Sequence, residues 1–220
     1  MDMENHTFIS NREKGIAQAI PEQFEYSIHL HCCQHIADNL QQRFGNKVRP
    51  LFWAAARAKT RDLFQSKMEE IQVQSKPAFE YLTAIKKSLW TTAYRTYPQY
   101  GHNTSNIIES VNSSWDDIRQ LPPLQAMDAI YSKCMKMVYD RLHKPQKSPL
   151  LADIPMAKFQ ARLKTSRRYH VSPLSDGIYQ VQIPDSGKKY IVNLAKKECD
   201  YGSFYEYQSP CAHGIATTKY

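Results

Sequence analysis

From Val48 to about Tyr94 the apolar residues recur at three- and four-residue spacing. Phe52, Ala55, Ala56, Leu63, Phe64, Met68 and Ile71 read as one stripe, with a break at Lys76-Pro77. That period belongs to a helix and not to a strand, whose side chains alternate between faces. A helical block of this length needs apolar partners nearby, and the preceding segment offers a different pattern. Phe8-Ile9-Ser10 is β-prone, and Asn11 stands where it could cap a helix from Arg12 to about Ile20, closed by Pro21. Phe24, Tyr26, Ile28 and Leu30 then alternate as a half-buried strand ending at His31, and Cys33, Ile36, Ala37, Leu40 and Phe44 return to helical spacing until Gly45. The chain therefore opens as strand, helix, strand, helix.

Beyond the block, a polar loop from Tyr97 to Asn103 leads to Thr104, placed to cap a helix through Ile107, Ile108, Val111 and Trp115. Pro122 and Pro123 start a long amphipathic helix. Its pattern predicts Leu124, Met127, Ile130, Tyr131, Cys134, Met137, Val138 and Leu142 on a buried face, with an end before Pro145. Pro145, Pro149 and Pro155 mark a linker, followed by a basic helix over 156–168. Gly177 to Ile183 and Tyr190 to Leu194 read as the strands of a hairpin, joined by the turn Pro184-Asp185-Ser186-Gly187. These signals divide the chain into 1–145, a linker and basic helix over 146–170, and a C-terminal module over 171–220.

Composition narrows the function classes. With 42% hydrophobic and 23% charged residues, the chain has ordinary globular usage, which excludes a wholly disordered, collagen-like or coiled-coil protein. It has no apolar run near the roughly 18 residues of a membrane span, and its first segment lacks the layout of a secretory signal. An intracellular protein without a membrane partner is expected. The five cysteines are an odd number and Cys32 and Cys33 are adjacent, so metal ligation or free thiols come before a disulfide framework. The net charge of +8 is uneven, densest in Lys158, Arg162, Lys164, Arg167 and Arg168, with no acid between them. Such a run suits phosphate backbones or anionic surfaces, and by composition alone it is more often a solvated helix face.

The residues with metal chemistry lie at the end of the chain. Cys211-Ala212-His213 is a compact Cys-x-His pair and Cys199 lies just after the hairpin; thiolates and an imidazole suit tetrahedral Zn²⁺. The stretch from Cys199-Asp200-Tyr201-Gly202 to Cys211-Ala212-His213-Gly214 resembles the SWIM-type zinc finger, in which Cys-x-Cys is followed by a spacer and a Cys-x-His that opens a helix. Here the second cysteine position is Tyr201. A phenol, with an ordinary pKa of about 10, is a poor ligand at neutral pH, so the resemblance implies a weak three-ligand zinc site. Water, Asp200 or Glu198 would have to complete the shell.

Other segments resemble Mutator-like element transposases, in which a SWIM finger follows an RNase H-like DDE domain. Ile9-Ser10-Asn11-Arg12-Glu13 is similar to the segment of the second catalytic aspartate. The stretch from His31-Cys32-Cys33-Gln34-His35 to Leu40 is similar to the family's Cys-x2-His helix, marked here by Cys32 and His35. The stretch from Tyr100-Gly101-His102-Asn103-Thr104 to Glu109-Ser110-Val111-Asn112 is similar to the segment of the final glutamate, here Glu109. The resemblance implies an α+β, mainly helical chain. It would consist of a partial RNase H-like core with a large helical insertion, then a β-hairpin and helix finger.

DDE chemistry uses two divalent metals about 4 Å apart, held by three carboxylates. The second acid position is Asn11, which brings no charge. The first has no counterpart, because Met1 stands only ten residues ahead of Asn11. Glu13 in a helical turn and Asp2 ahead of the strand are not credible substitutes. Mg²⁺, expected for the family, would not be bound productively. The resemblance thus implies a catalytically defective transposase-derived protein of nuclear location that binds zinc and, without sequence preference, DNA. It takes no small-molecule substrate and leaves a sheet edge open to a protein partner. Two alternatives stay open: a subunit whose partner supplies the missing acids, and a decayed fragment without selected function.

Overall fold

The computed structural model describes residues 6–95, 97, 99–145 and 153–218, so Asp2, Pro149 and Tyr220 lie outside the described residues. The chain is α+β and mainly helical, with two small sheets. It packs as two compact units, 1–105 with 162–220 and 106–161, a division different from the boundaries drawn on the sequence.

The first unit opens with strand β1 (Thr7–Ser10), helix α1 (Lys14–Gln23), strand β2 (Ile28–His31) and helix α2 (Cys33–Phe44). The strands run parallel, from Thr7 opposite Ile28 to Ser10 opposite His31. Three local expectations are corrected. Asn11 is not the cap, because Glu13 precedes the first helical residue; Pro21 lies inside α1, where at the last turn a missing N–H costs only one helical bond. The second strand begins at Ile28, since the chain turns after Phe24, whose ring packs on Phe8 at 4.9 Å.

The helical block resolves into α3 (Val48–Ala56), α4 (Arg61–Gln74) and α5 (Lys76–Thr83), followed by two single 3₁₀ turns. Thr60 caps α4 by accepting from the Leu63 amide, and Ser75 caps α5 by accepting from Ala78, so hydroxyl caps interrupt the apolar period that reads as continuous. Leu63 leaves the stripe and is exposed, because this first-turn position faces away from the core. The core gathers α2 to α5 around Trp90, whose ring lies 5.3 Å from Phe52 and 5.5 Å from Phe64. Burial pushes the Cys33 thiol up to about 12, so it remains a donor and bonds the Trp90 carbonyl at 3.1 Å.

The second unit contains α6 (Asn106–Ser113), α7 (Asp116–Arg119), α8 (Pro123–Leu142) and the first part of α9 (Asp153–Ser166). Helix α6 begins two residues after Thr104, which therefore is not its cap. The buried face expected for α8 is not buried. Leu124 is 80% exposed, Met127, Tyr131, Val138 and Leu142 are exposed with it, and only Ile130, Cys134 and Met137 are half-covered. The short α7 that packs on α8 has too little surface to cover a twenty-residue helix. Pro155 sits in the first turn of α9, and of the expected linker 146–152 lies outside the described residues.

After α9 the chain returns to the first unit as an antiparallel sheet of β3 (His170–Ser175), β4 (Ile178–Gln182), β5 (Lys189–Asn193) and β6 (Glu198–Cys199), in that order. The expected hairpin is β4–β5, and β3 and β6 extend it on either side. Pro173 obscures β3 in the sequence; it is tolerated because β3 is an edge strand, where a missing N–H breaks no ladder on the open side. Short helices α10 (Ser203–Tyr207) and α11 (Ala212–Thr217) follow. Val181, Val192, Phe204 and Ala216 form a second apolar cluster between sheet and helices, together with Cys199 and Cys211. No helix of the described residues is long and apolar enough to cross a membrane.

Candidate metal centre

Cys199 is the last residue of β6 and is fixed opposite Val192 by the ladder. The chain then reverses, with the Asp200 amide bonding the Ile191 carbonyl and the Gly202 amide bonding the Cys199 carbonyl at 2.7 Å. Gly202 is required here: its φ is +74°, and a Cβ would stand 2.8 Å from the Lys59 carbonyl oxygen. Cys211 caps α11, its Sγ accepting from the Gly214 amide at 3.5 Å, and His213 sits in the first turn of the same helix. A strand end and a helix start thus converge, and the ligand atoms of Cys199, Cys211 and His213 all lie within 4.8 Å of one another.

The geometry suits a tetrahedral ion. His213 Nδ1 faces Cys199 Sγ at 3.7 Å and Cys211 Sγ at 3.8 Å. With Zn–S of about 2.3 Å and Zn–N of about 2.0 Å, a regular tetrahedron places N and S about 3.6 Å apart. All three side chains are buried and no cysteine is in a disulfide. The cluster is also electrostatically prepared. A hydrogen bond from the Cys199 thiol holds Cys211 well below the ordinary thiol range, outweighing burial, and the bonds from His213 and Gly214 add to it. Burial and the same shared proton push Cys199 up. The residues can therefore hold a metal ion, which would displace that proton.

Aromatic packing holds the imidazole. Tyr169 stacks on His213 at 5.1 Å, Tyr190 lies at 4.4 Å, and Tyr201 meets it edge-on at 5.2 Å. His213 Nε2 is buried without a hydrogen-bond partner among the described residues, so the ring is held by its packing against these tyrosines. Tyr201 carries Lys59 Nζ 4.3 Å above its ring. The carboxylates considered as a fourth ligand are engaged elsewhere or open to solvent: Asp200 Oδ2 accepts from the Ile191 amide at 3.0 Å, and Glu198 is exposed.

The remaining sequence candidates are not part of the Cys199, Cys211 and His213 cluster. Cys32 is the N-cap residue of α2; burial pushes its thiol up, but bonds from Ser105 and His35 prevail and leave it below its ordinary value. Cys32 and His35 are thus in contact, as their spacing implies. Asn11 directly follows β1, next to Ser10, whose partner across the sheet is His31; burial, Arg12 and His29 lower the pKa of His31 to about 4. Glu109 stands exposed in the first turn of α6, in the second unit.

The basic run is not one solvated stripe. Arg162 turns to the segment between α10 and α11, donating to Ser209 Oγ at 2.9 Å and to the Pro210 carbonyl at 3.1 Å, with its guanidinium 5.0 Å from the Tyr207 ring. Lys158, Lys164, Arg167 and Arg168 are exposed, the last two beyond the end of α9. Sequence reasoning also missed Glu206 of α10. It is buried and accepts from the Gly101 amide at 3.0 Å, tying the 99–103 loop to α10. Burial pushes its carboxyl up, against that bond and the nearby Arg95. Comparison of the chain with protein-family models, curated proteins and solved structures gives no match.

Proposed function

We propose that this chain is a transposase-derived DNA-binding protein of the Mutator-like type, in which a zinc-stabilised finger persists and strand-transfer chemistry does not. The observation that carries the reading is the convergence of Cys199, Cys211 and His213 after a hairpin and at the start of a helix, the arrangement the SWIM pattern requires. Zinc would serve as a structural ion, tying β6 to α11 so that neither end of the finger frays. The order β1, α1, β2, α2, with its parallel strand pair, supports a remnant of an RNase H-like core. Lys164 and Arg167 are exposed to phosphates, and Arg168, paired with Asp185 at 3.7 Å, is exposed beside them, which would give sequence-tolerant, salt-sensitive binding.

The loss of catalysis rests on charge. An acid clamp offsets two divalent ions, whereas Asn11 brings none and has Arg12 beside it. Incubation of the full chain with Mg²⁺ or Mn²⁺ and DNA carrying family-type terminal repeats should give no nicks above a Glu109→Ala control. Nicking that Glu109→Ala abolishes would overturn this part of the reading.

A further inference from the structure

A cavity of about 320 Å³ in the first unit is lined by Arg57, Lys59, Thr92, Arg95, Asn103 and Glu206, among others. It lies apart from the cysteines and histidine of the metal centre, and three cations meet in it. Arg57 follows the end of α3, exposed, with its guanidinium 4.6 Å from the Trp53 ring, a contact that fixes the side chain without neutralising it. Among the described residues Lys59 Nζ hydrogen-bonds the neutral Ser203 hydroxyl, at 3.1 Å, and overlies Tyr201.

Arg95 is the informative member. It donates to the Trp90 carbonyl at 3.3 Å, but its Nε is buried without a partner, and it forms no ion pair within 4 Å among the described residues. The Glu206 charge acts on this half-buried guanidinium without a direct ion pair, and its planar fork is shaped for an oxyanion. The one carboxylate on the wall, Glu206, has already committed Oε1 to the Gly101 amide. Three cations against that single acid leave the cavity with two positive charges. A carboxylate ligand or a single phosphodiester would neutralise only one of them. A phosphate monoester or inorganic phosphate is a dianion near neutral pH, with enough oxygens for two guanidinium groups and an ammonium.

We infer that the cavity lined by Arg57, Lys59 and Arg95 is a binding site for a phosphate dianion, supplied either as free phosphate or as the terminal phosphate of a nucleic acid. The site does not depend on the metal centre or on DNA binding through Lys164, Arg167 and Arg168. Arg57 is the exposed member of the lining and Arg95 a half-buried one.

Calorimetric titration of the full chain with inorganic phosphate, at fixed ionic strength, tests the site. Saturable binding at one site per chain is expected, weakened at least about tenfold by Arg57→Gln and by Arg95→Lys, and unchanged by Lys164→Gln. Arg57→Gln alone decides if Arg95→Lys does not fold, because Arg57 is exposed. A short single strand bearing a 5′-phosphate, compared with its 5′-hydroxyl counterpart, identifies the source. Tighter binding of the phosphorylated strand, displaced by phosphate, assigns the site to nucleic-acid ends, and equal binding assigns it to free phosphate. Absence of saturable phosphate binding, or binding indifferent to Arg57→Gln, would overturn the inference even if the chain binds DNA.

Discussion

Replacing Tyr201 by cysteine should tighten zinc binding by about a hundredfold or more. A complete structural zinc site is worth about 10–16 kcal/mol, so one thiolate among four ligands contributes roughly a quarter of that, and each 1.4 kcal/mol is a factor of ten. Tyr201 is the correct position for the test because its ring already meets His213 at 5.2 Å, so its side chain is directed at the cluster and not away from it. The substitution also removes the ring that packs on Tyr190 and lies under Lys59. Tyr201→Ser controls for that loss, since it removes the ring without adding a strong ligand. Chelator competition should therefore rank Tyr201→Cys far above the parent chain, with Tyr201→Ser at or below it. Equal affinity for the cysteine and serine variants would mean that Tyr201 does not occupy a ligand position.

Trp90→Ala should be among the most destabilising single changes in the chain, by about 3–5 kcal/mol, as is usual when a fully buried tryptophan is truncated. The indole is completely buried and touches both Phe52 and Phe64, so its loss leaves a cavity shared by α3 and α4. Against a typical native stability of about 5–15 kcal/mol, this shifts the denaturant midpoint far down. Trp90→Phe should cost much less, because Nε1 has no hydrogen-bond partner to lose. Chemical unfolding of the two variants gives the comparison; similar losses for both would place the stabilisation in the indole N–H and contradict this account of the core.

These two positions differ in how they could be read from sequence. The block around Trp90 was legible because a core stripe is set by local period: Phe52, Phe64, Met68 and Ile71 recur as a helix requires, and they are buried. The same period misleads in α8, where Leu124, Met127 and Tyr131 form a regular face that is exposed. Period shows that a face is apolar and cannot show whether a partner covers it. The cluster of Cys199, Cys211 and His213 was legible because a short Cys-x-His spacing and the end of a hairpin are local features. The tyrosines that hold His213 were not, since Tyr169, Tyr190 and Tyr201 come from separate segments and converge only in the folded chain. Arg162 was misread, and Glu206 missed, for a related reason. Each has the composition of a surface residue, but one bonds the Pro210 carbonyl and the other the Gly101 amide.

The reading as a whole rests on a metal held by Cys199, Cys211 and His213, and cobalt(II) substitution examines that claim directly. Cobalt added to the reduced full chain should bind one ion with thiolate-to-metal charge-transfer absorption and the visible bands of tetrahedral coordination. Zinc should displace it, and Cys211→Ser should reduce the charge-transfer intensity by about half, since one of two thiolates is lost. Absence of the charge-transfer absorption, or the same spectrum in Cys211→Ser, would show that these three residues pack together without holding a metal.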